Sequence, residues 1–119
     1  MARVMVAEDS NAIRLLLLDV LQLGNHELVA EAADGIDTLE IYKSLKPDIL
    51  LLDLAMPKKD GITTMSEILQ LDPRAKIIII TATDNQKVIN QCLELGAKQC
   101  IIKPFEISDI LNAINSICD

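Results

Sequence analysis

The middle of the chain reads Ile49-Leu50-Leu51-Leu52-Asp53-Leu54-Ala55-Met56-Pro57-Lys58-Lys59-Asp60-Gly61. Four aliphatic residues in succession have no polar face, so a strand built from them is covered on both sides. That is the signature of a parallel sheet sandwiched between helices. The run stops on a carboxylate, Asp53, and proline and glycine then break the chain direction. Similar short aliphatic or β-branched runs stand at Val4–Ala7, Leu28–Ala32, Ile77–Thr81 and Cys100–Ile102. Segments of helical spacing lie between them, at about Asn11–Leu23, Ile36–Leu45, Thr63–Leu71 and Gln86–Leu95. Ser10 is placed to cap the first, Asp34-Gly35 precedes the second, and Gly24 and Gly96 close the first and fourth. A last helix shows Ile107, Ile110, Leu111, Ile114 and Ile117 on one stripe. The alternation is (βα)5, an α/β fold expected to occupy residues 1–119 as a single domain.

Composition narrows the function classes. The longest apolar runs are four residues, against the roughly 20 needed to span a bilayer, so no membrane insertion is expected. No basic stretch followed by a long apolar core opens the chain, which argues against a signal peptide. Eleven basic against eighteen acidic residues give a net charge of −7. That speaks against direct nucleic-acid binding, which needs clustered Lys and Arg. Cys92, Cys100 and Cys118 are odd in number and lack CxxC spacing, as expected of reduced thiols in a cytoplasmic protein.

In an open parallel sheet the chemistry gathers beyond the carboxyl ends of the strands. Glu8 and Asp9 follow the first strand, Asp53 ends the third, Thr81 ends the fourth, and Lys103-Pro104 follows the fifth. Each has an ordinary structural role open to it: helix capping for Glu8 and Asp9, an Asx-turn for Asp53, a solvated cation for Lys103. Their convergence at one edge is harder to explain in that way. Three carboxylates at close quarters repel one another, and a hard divalent cation such as Mg²⁺ suits them. Lys103 supplies positive charge opposite a phosphoryl group, and Thr81 a hydroxyl that can donate to a phosphoryl oxygen. The residue types therefore point to a Mg²⁺-dependent phosphoryl site with one carboxylate as nucleophile.

The set Glu8-Asp9, Asp53, Thr81 and Lys103-Pro104 resembles the receiver domain of two-component response regulators. Leu51–Gly61 is similar to that family's D-x-x-M-P-x-x-x-G signature, and Gly96-Ala97 with Lys103-Pro104-Phe105 to its G-A…K-P-F ending. The resemblance covers the whole chain. It implies a flavodoxin-like three-layer sandwich with a parallel five-stranded sheet in the order 2-1-3-4-5. It implies that Asp53 is the phosphoacceptor for a sensor histidine kinase. Asp9, Asp53 and the backbone carbonyl of Ala55 would bind Mg²⁺, with Glu8 acting through water. Lys103 would pair with the phosphoryl group, and Thr81 would turn towards it and carry the change to the surface of the last two helices and strand. Water would later hydrolyse the acyl phosphate.

Within this family a chemotaxis-type regulator is the first expectation, a monomer taking its signal from the chemotaxis kinase to a motor switch or adaptor protein. The lack of an output domain implies that the output is a protein contact; a single-domain phosphorelay intermediate is the second expectation, and Met1 and the missing C-terminal linker lean against a receiver fragment of a larger regulator. Near-equal isoleucine and leucine (17 and 18) lean towards an AT-rich bacterial or archaeal source.

The sequence departs from the family at Cys100, where many receivers carry Tyr or Phe three residues before the lysine. The aromatic half of the usual switch is absent, and read-out is expected to run through Thr81 and the loop at Ala82-Thr83. Small residues at Ala55 and Thr83 should leave the site open to water and small phosphodonors. On the first helix, Asn11, Arg14, Asp19 and Gln22 mark a polar face that includes Leu15 and Leu18, a candidate partner-docking surface. His26, Lys58 and Lys59 are expected in solvated loops. A flavin-binding relative of the same architecture fits poorly, since Glu8-Asp9 would repel the FMN phosphate. A haloacid-dehalogenase-like phosphatase wants a second Asp where Ala55 stands. A constitutive interaction module would not need the complete set of site residues.

Overall fold

The computed structural model describes residues 1–118, without the side chain of Cys118; Asp119 and the expectation of a reduced thiol at Cys118 lie outside the described residues. The strands are β1 (Arg3–Ala7), β2 (Glu27–Ala32), β3 (Ile49–Asp53), β4 (Ile77–Thr81) and β5 (Gln99–Ile102). The helices are α1 (Asn11–Leu23), α2 (Gly35–Leu45), α3 (Gly61–Leu71), α4 (Gln86–Leu95) and α5 (Ile107–Cys118). All pairings are parallel, in the order β2-β1-β3-β4-β5, as the family resemblance implies.

The aliphatic runs serve both faces at once. Met5, Ala7, Leu50, Leu52, Ile77 and Ile79 pack under Leu39 and Tyr42 of α2, Met65 and Ile68 of α3 and Cys92 of α4. The alternate residues Val4, Val6, Ile49, Leu51, Ile78 and Ile80 pack under Leu17, Val20 and Leu21 of α1 and Ile110 and Ile114 of α5. Period-2 alternation thus feeds two apolar layers. Each fully buried Leu or Ile contributes roughly 1.5–3 kcal/mol, which is how a core with so few aromatic rings is sustained. Among the described residues no helix is long and apolar enough to cross a membrane.

Two helices begin earlier than their apolar spacing suggests. Asp34 accepts the Asp37 N–H at 2.8 Å and Asp60 the Thr63 N–H at 2.8 Å, so Gly35 and Gly61 already belong to α2 and α3. Side-chain caps satisfy the free N–H groups of the first turn, and they move the boundaries towards the site. Gly61 also permits a close approach: its N–H donates to the Leu54 carbonyl at 2.9 Å. A Cβ there would stand 2.5 Å from Leu54 Cα and 2.6 Å from the Asp53 carbonyl oxygen. Gly61→Ala is expected to cost about 2 kcal/mol by forcing that backbone apart, measured as a shift in the urea midpoint. An unchanged midpoint would show that the loop gives way freely.

The β1–β2 connection leaves β1 on one side, and the chain returns over it to β3. The crevice therefore opens beyond the ends of β1 and β3, and the acidic residues flank it.

Candidate functional site

Glu8 and Asp9 leave the end of β1, and Asp53 is the last residue of β3. One carboxylate oxygen from each of the three lies within 4.8 Å of the other two. Glu8 and Asp53 are buried, at 1% and 4% exposure, and Asp9 is exposed. The cluster thus has two buried members and one open to solvent, and an all-oxygen donor set of this kind suits a hard divalent cation.

Lys103, after β5, brings the compensating charge. Its Nζ lies 2.8 Å from Glu8 Oε1 and 3.6 Å from Asp53 Oδ1. The second Glu8 oxygen accepts the Ser10 N–H at 3.1 Å. Burial opposes the Glu8 charge, but the Lys103 and Ser10 hydrogen bonds outweigh it and hold its pKa below the usual value. Asp53 goes the other way. Burial, and then the neighbouring Glu8 carboxylate, push its carboxyl up to about 7, against the pull of the Ala55 N–H and Lys103. A single lysine cannot neutralise the pair, and the imbalance falls on Asp53.

A cation bound here must displace the proton that Asp53 holds below pH about 7. Apparent affinity is expected to rise with pH by up to about tenfold per unit below that value and to level off above it. Titrating Mg²⁺ against the amide resonances of the loop residues across this range checks it; a pH-independent affinity would contradict the electrostatics described.

Thr81 is buried at the end of β4, 4% exposed, and its Oγ1 accepts the Thr83 N–H at 3.1 Å. Its hydroxyl proton is left available to a group arriving beside Asp53. Ala55, exposed, donates its N–H to Asp53 Oδ1 at 3.2 Å. This is the Asx-turn open to Asp53 from the sequence, and it aims the carboxylate as well as closing the turn. An apolar cavity of about 590 Å³ borders the site, lined by Ala55, Thr81, Ala82, Thr83 and Val88 among others. The small residues at Ala55 and Thr83 therefore do lie at an open approach.

Several residues sit differently from their sequence expectation. Lys59 pairs with Glu67 at 2.6 Å and is not a merely solvated cation, whereas Lys58, 62% exposed, stays in a solvated loop while reaching Asp34 at 3.4 Å. His26 is half-buried, its Nδ1 accepting the Ala2 N–H at 3.0 Å; it is a turn support outside the site. Leu15 is 62% exposed, but Leu18 is half-buried, which narrows the apolar part of the α1 face. Cys100 is half-buried against the layer that contains Cys92, and burial followed by the neighbouring Cys92 pushes its thiol up to about 11. It therefore packs as a small apolar residue. The sequence did not single out Asp34 or Arg14 as site supports, because Lys58 and Glu31, with which they pair, are distant in the chain.

Five parallel strands in this order, with a carboxylate cluster, hydroxyl and lysine at the switch point, define a phosphoacceptor signalling domain. The model of the response regulator receiver domain matches residues 4–115, and the chain belongs to that family. It is 37% identical over 115 residues to the chemotaxis protein CheY of Thermotoga maritima, covering 97% of this chain and 96% of that protein. CheY of Bacillus subtilis is 38% identical over 113 residues, with coverage of 95% and 94%. A chain in the crystal structure of the CheX–CheY–BeF3–Mg²⁺ complex from Borrelia burgdorferi superposes with a TM-score of 0.95 at 32% identity, over 98% of this chain and 89% of that one. The protein is a receiver-type signalling switch homologous to chemotaxis response regulators.

Proposed function

We propose that Asp53 accepts a phosphoryl group from a phosphohistidine of a sensor histidine kinase, and that the protein then acts as a chemotaxis response regulator. The observation that carries this is the meeting of Asp53 with Glu8, Asp9 and Lys103 at one point, from three separate strands. An Asp53 oxygen attacks phosphorus, the P–N bond breaks with its electron pair going to the imidazole nitrogen, and an acyl phosphate forms. Lys103 moves its charge towards the new phosphoryl oxygens, and Thr81 donates its hydroxyl to one of them. Such transfer depends on positioning and charge stabilisation more than on acid–base chemistry. Attack of water on phosphorus later breaks the P–O bond, returning the Asp53 carboxylate and inorganic phosphate.

The residues present fit Mg²⁺. Two carboxylates and carbonyl or water oxygens are its usual company, and the raised Asp53 pKa shows negative charge crowded and under-compensated there. Asp9, Asp53 and the Ala55 carbonyl would hold the cation, with Glu8, already bonded through both oxygens, acting through water. When bound, it would screen the charge of an incoming phosphoryl group.

The output is a protein contact with a motor switch or adaptor protein. Homology to CheY over nearly the full chain supports this, and so does the likeness to a chain from a CheX–CheY complex. The domain works as a cytoplasmic monomer within residues 1–119. Thr81 carries the change, since its movement towards a phosphoryl group breaks the bond from the Thr83 N–H and releases the loop at Ala82-Thr83. Beryllofluoride with Mg²⁺ is expected to tighten binding of the purified motility partner about tenfold or more, a coupling of the usual size. Equal affinity with and without it would remove the switch.

A further inference from the structure

We propose that the end of β2 and the turn after it, Glu31–Gly35, form a positioning clamp that holds both cation-binding loops in register although it supplies no ligand. This rests on the proposed Mg²⁺ site and says what keeps that site in shape.

On one side the clamp grips the loop that carries Glu8 and Asp9. The Glu8 N–H donates to the Ala32 carbonyl at 2.9 Å. Arg14 Nη1 donates to the Glu8 carbonyl at 2.7 Å, while its Nε stands 3.5 Å from Glu31 Oε1. Arg14 therefore ties the backbone of Glu8, next to the ligand Asp9, to the end of β2. Its other Nη donates to Asn11 Oδ1, which fixes the guanidinium on α1.

On the other side the clamp grips the loop that follows Asp53. The Gly35 N–H donates to the Pro57 carbonyl at 3.4 Å, and Asp34 pairs with Lys58, whose φ of 70° is left-handed. Contact is close enough to exclude a side chain: a Cβ at Gly35 would lie 2.1 Å from the Lys59 carbonyl oxygen and 2.5 Å from Thr64 Oγ1. This loop contains Ala55, whose N–H in turn orients Asp53.

The repulsion among three carboxylates acts to spread the two loops apart. Mg²⁺ demands near-ideal octahedral geometry, whereas Ca²⁺ accepts looser and more varied coordination. A clamp that sets the distance between loops should therefore matter to Mg²⁺ more than to Ca²⁺. That difference separates positioning from general stability.

The test is titration of the full chain with Mg²⁺ and with Ca²⁺, followed by amide NMR, beside thermal melts without metal. Gly35→Ala is expected to weaken Mg²⁺ about tenfold, the lower end for supporting groups around a metal, and Ca²⁺ by less than about threefold. Arg14→Met is expected to weaken Mg²⁺ about threefold. Charge alone would do the reverse, because removing a cation beside an acidic cluster favours metal binding. Gly24→Ala is the remote control: its Cβ would meet the movable side chains of Leu111 and His26, at the opposite end of the sheet. It should leave both affinities unchanged, whatever it does to the melting temperature. Unchanged or tighter Mg²⁺ binding in Arg14→Met overturns the clamp, and that variant decides the matter if Gly35→Ala does not fold. Equal losses for the two metals in Gly35→Ala also overturn it. Wild-type protein that binds no Mg²⁺ would sink the cation site itself and the clamp with it, a result distinct from normal wild-type binding with indifferent variants.

Discussion

Asp53→Asn is expected to lose phosphoryl incorporation by a factor on the order of 10³ or more, and to be more stable than wild type without metal. The first effect follows from losing, among the described residues, the one buried carboxylate that is both next to Lys103 and undercompensated. The second follows from linkage. The Asp53 carboxyl titrates at about 7 in the folded protein, against roughly 4 in an unfolded chain. Between those values the folded state binds the extra proton, so the Asp53 contribution to wild-type stability is fully present below pH about 4 and is lost as pH rises to about 7. The asparagine variant lacks this decline. At neutral pH it should exceed wild type by on the order of 2 kcal/mol, a gap that saturating Mg²⁺ narrows. Urea unfolding at acid and neutral pH, with and without Mg²⁺, measures it. A variant less stable than wild type at neutral pH would mean that the carboxylate pair is not the source of strain.

Lys103→Met should have the opposite effect on stability. Lys103 is 20% exposed and is the cation within reach of both Glu8 and Asp53. Its removal leaves two buried carboxylates facing each other, a loss of about 3–5 kcal/mol at neutral pH. Lowering the pH should recover much of this by protonating the pair, and Mg²⁺ should recover part of it at neutral pH. Phosphoryl transfer should stay about 10²–10³-fold slow even with Mg²⁺ saturating, because the cation does not replace the lysine opposite the phosphoryl group. Rate and stability measured on the same preparation separate the two roles. Full recovery of rate by Mg²⁺ would assign Lys103 to charge balance alone.

The architecture was legible because it rests on local patterns. Ile49–Leu52 and Ile77–Ile80 have no polar face, and both indeed fill two apolar layers. Site residues were legible for a related reason: in a parallel sheet the strand ends share one edge, so Glu8, Asp53, Thr81 and Lys103 had to lie near one another once the strands were placed. What escaped depends on contacts between distant segments. Gly35 and Gly61 read as turn punctuation, yet Gly35 leaves room for the Lys59 carbonyl of another loop and Gly61 for the Asp53 carbonyl at the end of β3. Lys59 and His26 looked solvated because their partners Glu67 and Ala2 are set by packing. The early starts of α2 and α3 came from the Asp34 and Asp60 caps, which carry no apolar period. Cys100 was visible as a departure, but only packing shows a small thiol seated beside Cys92.

The most direct measurement is the mass and site of phosphorylation after treating the full chain with a small phosphodonor and Mg²⁺. The expected result is a mass gain of one phosphoryl group per chain and, after borohydride reduces the acyl phosphate with release of phosphate, homoserine at position 53, both absent in Asp53→Asn and absent when Mg²⁺ is chelated. Incorporation at another residue, or undiminished incorporation in Asp53→Asn, would contradict the central claim.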